Sequence, residues 1–207
     1  LPKTKSFHTL LKFYKTKTLN RINNYFIKNE LVDKAVTINS FKVPKVNDMI
    51  KKINWRWLCD GEMTQFHGDY HFENILFHKK NRSFTFLDWR QDFQGNVKYG
   101  DIYYDLGKLL HGMIVPHKAV VEKKFSFIMK NEDTFTINIK TSKNLEKCKK
   151  YFYYWLKKNN YDIDKVEIIT SLIFLNIATL HHKNYDDFLF NLGKFNLYKV
   201  LKNKKLL

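Results

Sequence analysis

The sequence predicts a mostly helical α+β fold. Apolar residues recur at spacings of three and four through several long segments. Residues 125–139 alternate with period two instead. Between the helical segments lies a polar loop, residues 66–76, followed by a short apolar run that ends in Asp88. A length of 207 residues limits the chain to one or at most two domains, and we read 1–207 as a single domain. Apolar residues at 44% and aromatics at 16% suffice for a packed core, which sets aside the disordered class.

The elements follow in order. Residues 6–29 read as one amphipathic helix, with Ser6 as its N-cap and Phe7, Leu10, Leu11, Tyr14, Ile22, Tyr25 and Phe26 on its apolar stripe. Residues 41–44 break that pattern. Pro44 suits the first turn of a short helix carrying Val46, Met49, Ile50 and Ile53. Residues 84–87 read as a strand. Gly95 and Asn96 make a turn. Asp101 caps a helix that runs through Tyr104, Leu106, Leu109 and Leu110. Phe125–Met129 and Thr134–Ile139 form a β-hairpin joined by 130–133. Helices return at 144–156, at 164–181 with Asp164 as cap, and at 185–201.

The polar loop carries the chemistry. It reads Phe66-His67-Gly68-Asp69-Tyr70-His71-Phe72-Glu73-Asn74, and Phe86-Leu87-Asp88-Trp89-Arg90 comes after it. An Asp, an Asn five positions on, and an Asp leaving an apolar strand can converge on one point. Hard oxygen ligands beside a carboxylate are what a phosphoryl-transfer site needs, since Mg²⁺ prefers oxygen and the attacking hydroxyl must be positioned.

His67-Gly68-Asp69 with Asn74, the Leu87-Asp88-Trp89 segment, and Gly100-Asp101-Ile102-Tyr103-Tyr104-Asp105-Leu106 occur in the order of three motifs. Together they resemble the aminoglycoside phosphotransferase and choline kinase family, a branch of the protein-kinase-like fold. The detailed likeness covers roughly residues 66–112. It implies a protein-kinase-like C-terminal lobe with short catalytic-loop strands and a β-hairpin insert. It implies ATP and Mg²⁺ as cofactors and a small-molecule hydroxyl as acceptor. By the same resemblance, Asp69 is the base or hydroxyl-orienting carboxylate and His67 orients the loop. Asn74 and Asp88 hold Mg²⁺ and, through it, the nucleotide phosphates. Trp89, Arg90 and Asp92 face the substrate. Arg90 pairs either a substrate anion or an intramolecular carboxylate, and Asp105 either hydrogen-bonds the catalytic loop or favours the helix dipole.

Upstream of residue 66 there is no Gly-rich loop and no Val-Ala-x-Lys strand. The first residue is Leu, not Met. The expectation is therefore an isolated C-terminal lobe, a fragment whose nucleotide lobe belongs to the full-length protein.

A net charge of +17 favours anionic partners. It argues against polycationic aminoglycosides as acceptors. Choline would need an aromatic cage, for which Trp89, Tyr99, Tyr103 and Tyr104 are candidates, although buried core aromatics are the commoner case. A sugar or other metabolite is the favoured acceptor, with surface polysaccharide assembly as an analogy drawn from one-domain members of the family. Two readings of other classes stand beside this one: a catalytically inactive kinase-like scaffold lobe, and a basic nucleic-acid-binding module. The basic residues are spread along the whole chain, which weighs against the second. Cys59 and Cys148 lack metal-ligand spacing and fit a reduced, cytoplasmic setting. No secretory signal and no membrane span are expected.

Overall fold

The computed structural model describes residues 3–207, with side chains from Ser6 onward. Helix α1 (Lys3–Leu11) passes through a π-helical turn (Lys12–Thr16) into α2 (Lys17–Lys28). The helix has begun before Ser6, so Ser6 is an internal residue and not the expected cap. The π turn falls where Phe13 and Tyr14 are buried. One residue more per turn re-aims both side chains, a device common beside functional sites.

β1 (Val36–Ile38) and β2 (Phe41–Val43) follow as an antiparallel pair. The sequence shows this stretch only as a break, because three residues per strand are too few to display alternation. α3 (Val46–Lys52) and α4 (Trp55–Leu58) come next. Pro44 lies before α3 and not in its first turn, and the helix start is capped across the loop by Asp33. That carboxylate accepts from the Val46 and Asn47 N–H groups at 2.9 Å each.

β3 (Met63–Thr64) pairs with β6 (Gly100–Asp101), and β4 (Ile75–His78) with β5 (Ser83–Phe86), both antiparallel. α5 (Ile102–Ile114) and α6 (His117–Val121) lead to β7 (Phe125–Asn131) and β8 (Thr134–Ile139). This is the expected hairpin, but it is not a free insert. β8 lies parallel to β1, with Thr37 opposite Thr134 and Ile38 opposite Phe135. The result is a four-stranded sheet in the order β2-β1-β8-β7. That pairing spans distant chain segments and leaves no local mark in the sequence.

α7 (Lys143–Lys158), α8 (Ile163–Ala178) and α9 (Tyr185–Asn203) complete the fold. The cap of α8 is Asp162, which accepts from Lys165 N–H at 3.2 Å. The expected cap, Asp164, is already helical and pairs with Lys204 at 2.6 Å. About half of the described residues are helical, and the sheets are small.

α8 is the centre of the core. Val166, Ile169, Leu172, Phe174, Leu175 and Ala178 are buried around its whole circumference, as expected of a helix covered on every side. α5 and α9 approach it through glycines. A Cβ added at Gly193 would stand 2.9 Å from the Ser171 carbonyl oxygen, and one at Gly107 would stand 2.9 Å from an Ile169 methyl. A buried polar tie joins α2 to α9: the Tyr25 hydroxyl donates to Asp187 at 2.5 Å. Among the described residues, no helix is long and apolar enough to cross a membrane.

Gly193→Val should therefore destabilise the fold by about 1–3 kcal/mol, because the clash is with backbone that cannot rotate away. Denaturant unfolding measures this. A midpoint equal to that of the wild type would show that α8 and α9 can move apart freely.

Candidate active site

The site is built on the loop between β3 and β4. Its entry is fixed by the β3–β6 pair, in which Met63 faces Asp101 and Thr64 faces Gly100. Gly100 has the Phe66 ring against it; a Cβ there would come within 2.5 Å of ring carbon. Asp101 is fully buried. It accepts from the Tyr14 hydroxyl at 2.7 Å and from the Glu62 and Tyr103 N–H groups at 3.2 Å each. Burial pushes its carboxyl up to about 6, with those hydrogen bonds opposing the rise.

One turn along α5, Asp105 holds the tip of the loop. Its two oxygens accept from the His67 and Gly68 N–H groups, both at 2.7 Å. Of the two roles open to Asp105 in the sequence, the loop contact is thus present. Gly68 takes φ +80°. An added Cβ would also lie 2.4 Å from Arg90 Cβ, so only glycine fits this turn.

Beyond this turn the polar side chains gather. Asn74 Nδ2 lies 3.3 Å from Asp69 Oδ2 and 2.9 Å from the Asp69 carbonyl oxygen. Lys108 Nζ lies 2.7 Å from the other carboxylate oxygen, Asp69 Oδ1. His71 Nε2 stands 3.3 Å from Asp69 Oδ2, and its Nδ1 is 2.8 Å from Glu73. Burial alone would raise the Asp69 carboxyl, but the His71 hydrogen bond and the Lys108 ammonium outweigh it and hold the group well below its ordinary range. The bond to Asp69 raises the His71 imidazole in turn. His67 is buried and its Nδ1 accepts from Asp69 N–H at 3.2 Å. That contact orients the loop.

Asp88 follows β5. The Leu87 N–H donates to the Asn74 carbonyl at 2.9 Å, which ties the end of that strand to the loop. Asp88 itself takes φ +52°, and its exposed carboxylate has no partner among the described residues. The contacts of Asn74 run through Nδ2, which leaves Oδ1 without a protein partner. Two uncommitted hard oxygens suit Mg²⁺ bound through few protein ligands and substrate phosphates. They do not make a closed cage: among the described residues no three His, Cys, Asp or Glu side chains converge on a cation site.

The three other candidates separate. The Trp89 ring stacks on His67 with centroids 4.9 Å apart and is half open to solvent. Arg90 N–H donates to the His67 carbonyl at 2.8 Å, and its guanidinium lies over the Phe13 ring. Asp92 accepts from Gly95 N–H at 3.0 Å. It shapes the turn, and no contact joins it to Asp69, Asn74 or Asp88 among the described residues. Sequence reading missed Lys108, His71 and Tyr14. A trace of Lys108 was available: Asp101, Asp105 and Lys108, four and three apart, share one face of α5.

Residues 39–124 match the phosphotransferase enzyme family. The resemblance read from the motifs is borne out over the segment that carries them. The match runs from the β1–β2 turn to the start of β7. It includes the whole loop, Asp88 and α5, and omits α1, α2 and the last three helices. It covers fewer than half of the residues. No curated protein and no solved structure matches the chain. The family match supports phosphotransferase chemistry in general terms.

Two outcomes follow from these contacts. Lys108→Met should move the Asp69 carboxyl titration upward, toward the ordinary aspartate range, as followed by carboxyl-carbon NMR. An unchanged titration would show that Lys108 does not bias Asp69. Asp101 binds its proton more tightly in the folded chain than in the unfolded one. Its contribution therefore weakens stability as pH rises from the ordinary aspartate value toward about 6. Asp101→Asn keeps acceptor and donor atoms for the same partners and cannot ionise. Denaturation across pH 4–7 should show the wild type losing stability relative to this variant as pH rises, and parallel curves would refute the assignment.

Proposed function

We propose that the protein is an ATP- and Mg²⁺-dependent phosphotransferase acting on a hydroxyl group of a small molecule, with a sugar as the favoured acceptor. The observation that carries this is the convergence at the loop. Asp69 and Asn74 side chains stand 3.3 Å apart, and the Leu87 N–H bond to the Asn74 carbonyl ties the residue before Asp88 to that loop, which supports a common site.

The acceptor hydroxyl donates to Asp69. Phosphoryl transfer passes through a loose transition state in which little proton has moved, so the main work of Asp69 is to orient the oxygen. Its depressed carboxyl keeps it ionised for that task. Asn74 Oδ1 and Asp88 would hold Mg²⁺, which when bound neutralises charge on the phosphates. His67 and Asp105 fix the loop geometry so that Asp69 is preorganised. The β4–β5 hairpin offers an apolar shelf for a nucleotide base, with Phe77 and Phe84 rings 5.1 Å apart and exposed. We read the helical assembly as the C-terminal lobe of a kinase-like fold, and a nucleotide-covering lobe as its partner in the full-length protein.

Asp69→Asn should lower kcat by roughly 10²–10⁴-fold in a Mg–ATP assay against a panel of sugars, the range for losing a positioned base. Asp88→Ala should abolish Mg²⁺-dependent nucleotide affinity as measured by calorimetry. Turnover that persists in the double variant would remove these roles.

A further inference from the structure

Asp69 stands at a seam in the site. Its Oδ2 faces Asn74 and its Oδ1 faces Lys108. On the Lys108 side the surroundings are strongly basic. Lys17 and Arg21 lie four residues apart on α2, a spacing at which like charges repel. Lys17 Nζ is 4.6 Å from the centre of the Phe13 ring, and Arg90 Cζ is 5.3 Å from the same centre. Two cations thus gather on one aromatic ring. Burial, followed by the charges of Arg90, Arg21 and Lys108, pushes the Lys17 ammonium down to about 8.

The neighbouring carboxylates do not balance them. Asp69 is engaged by Lys108. Asp105 is engaged by two backbone N–H groups, and Asp101 by Tyr14 and two more. Among the described residues, no carboxylate pairs with Lys17, Arg21 or Arg90. Arg21 has the Thr179 hydroxyl at 3.4 Å, and the Arg90 guanidinium lies over the Phe13 ring. Half-buried positive charges without counter-charges are costly unless an anion completes them. From Arg90 a cleft of about 560 Å³ opens, lined also by Phe66, Trp89, Lys98 and Tyr99. Lys17 and Arg21 line a separate, smaller cavity with Phe13 and Tyr104. Trp89 and Tyr99 are 55% and 44% exposed, so both offer open ring faces.

We propose that the molecule taken on this side of Asp69 is an anionic sugar, with its ring against Trp89 and Tyr99 and its carboxylate or phosphate group held by Arg90 and Lys98, while Lys17 adds positive charge from across the Phe13 ring. Its role as phosphoryl acceptor rests on the phosphotransferase reading above; its binding does not. Arginine suits planar, two-point recognition of either oxyanion, and a lysine adds a movable point charge. The carbons of a sugar ring present an apolar face to an indole or phenol ring, while its hydroxyls remain free to reach Asp69.

The test is calorimetry on the full-length protein without nucleotide, using glucose, glucosamine, glucuronate and glucose 6-phosphate. Glucuronate or glucose 6-phosphate should bind about 10–100-fold more tightly than glucose, the range for hydrogen bonds to a charged group. Glucosamine should bind least. The pair of anions separates carboxylate from phosphate preference. Arg90→Met should remove most of the gain of the anionic sugars over glucose and Lys17→Met part of it, whereas Lys118→Met, at a remote exposed position, should leave that gain intact. Thermal unfolding checks that the variants fold, and Lys17→Met, at a half-buried position outside the catalytic loop, covers the case in which Arg90→Met does not. Equal binding of neutral and anionic sugars overturns the proposal, as does a gain that survives both substitutions. A loss of Mg–ATP affinity in place of sugar affinity also overturns it, since the cations would then serve the nucleotide. If anionic sugars bind as expected but no ATP is consumed with any of them, the phosphotransferase reading fails and this one stands. Equal turnover of neutral and anionic sugars gives the converse.

Discussion

The carboxylate of Asp105 holds the candidate site in place. It accepts two short hydrogen bonds from the consecutive N–H groups of His67 and Gly68. Bonds of this kind to a charged acceptor are each worth roughly 1.5–3 kcal/mol, and the donors would be costly if buried without a partner. The left-handed turn at Gly68, the inward seat of His67 and the projection of Asp69 all follow from this clamp. Asp69 in turn meets Asn74, and Asn74 anchors the strand that leads to Asp88. A loop of polar residues is ordinarily adaptable. Here a helix holds it by its backbone, which leaves the side chains free for chemistry.

The second support comes from a distant part of the chain. Tyr14 reaches Asp101 across 87 residues of sequence, from a π-helical turn that widens the N-terminal helix where Phe13 and Tyr14 enter the core. Phe13 packs on Phe93 and Tyr104, and Arg90 lies over it. The segment that matches the phosphotransferase family therefore does not complete its own site. Lys17, Arg21, Phe13 and Tyr14 all belong to a helix outside it.

Much of this was legible in the residues. The helices at 102–114, 143–158 and 185–203 stand where apolar spacing puts them, with Asp101 capping the first. The hairpin at 125–139 declares itself by alternation. The meeting of Asp69 with Asn74 was readable because both lie on one short loop, where spacing constrains geometry. The pairing of Lys108 with Asp69 was not, because an ion pair between a loop and a helix depends on how the two are docked. Asp92 shows the reverse case. Its place next to the site segment suggests substrate contact, yet its carboxylate is turned to the nearest free N–H group, that of Gly95.

By itself, the sequence determined the local periods, the cap at Asp101, the oxygen-rich loop and the order of motifs that marks phosphotransferase chemistry. These are short-range properties, set by the backbone and by neighbours a few residues apart. Only the tertiary structure decided that β1 joins β8, that Asp105 clamps the loop, that Lys108 claims one oxygen of Asp69, and that Lys17 and Arg90 meet at the Phe13 ring with no carboxylate paired to either among the described residues. Each of these joins residues far apart in the chain. Their proximity is set by the packing of α2 and α5 against the buried helix α8, which no local pattern encodes.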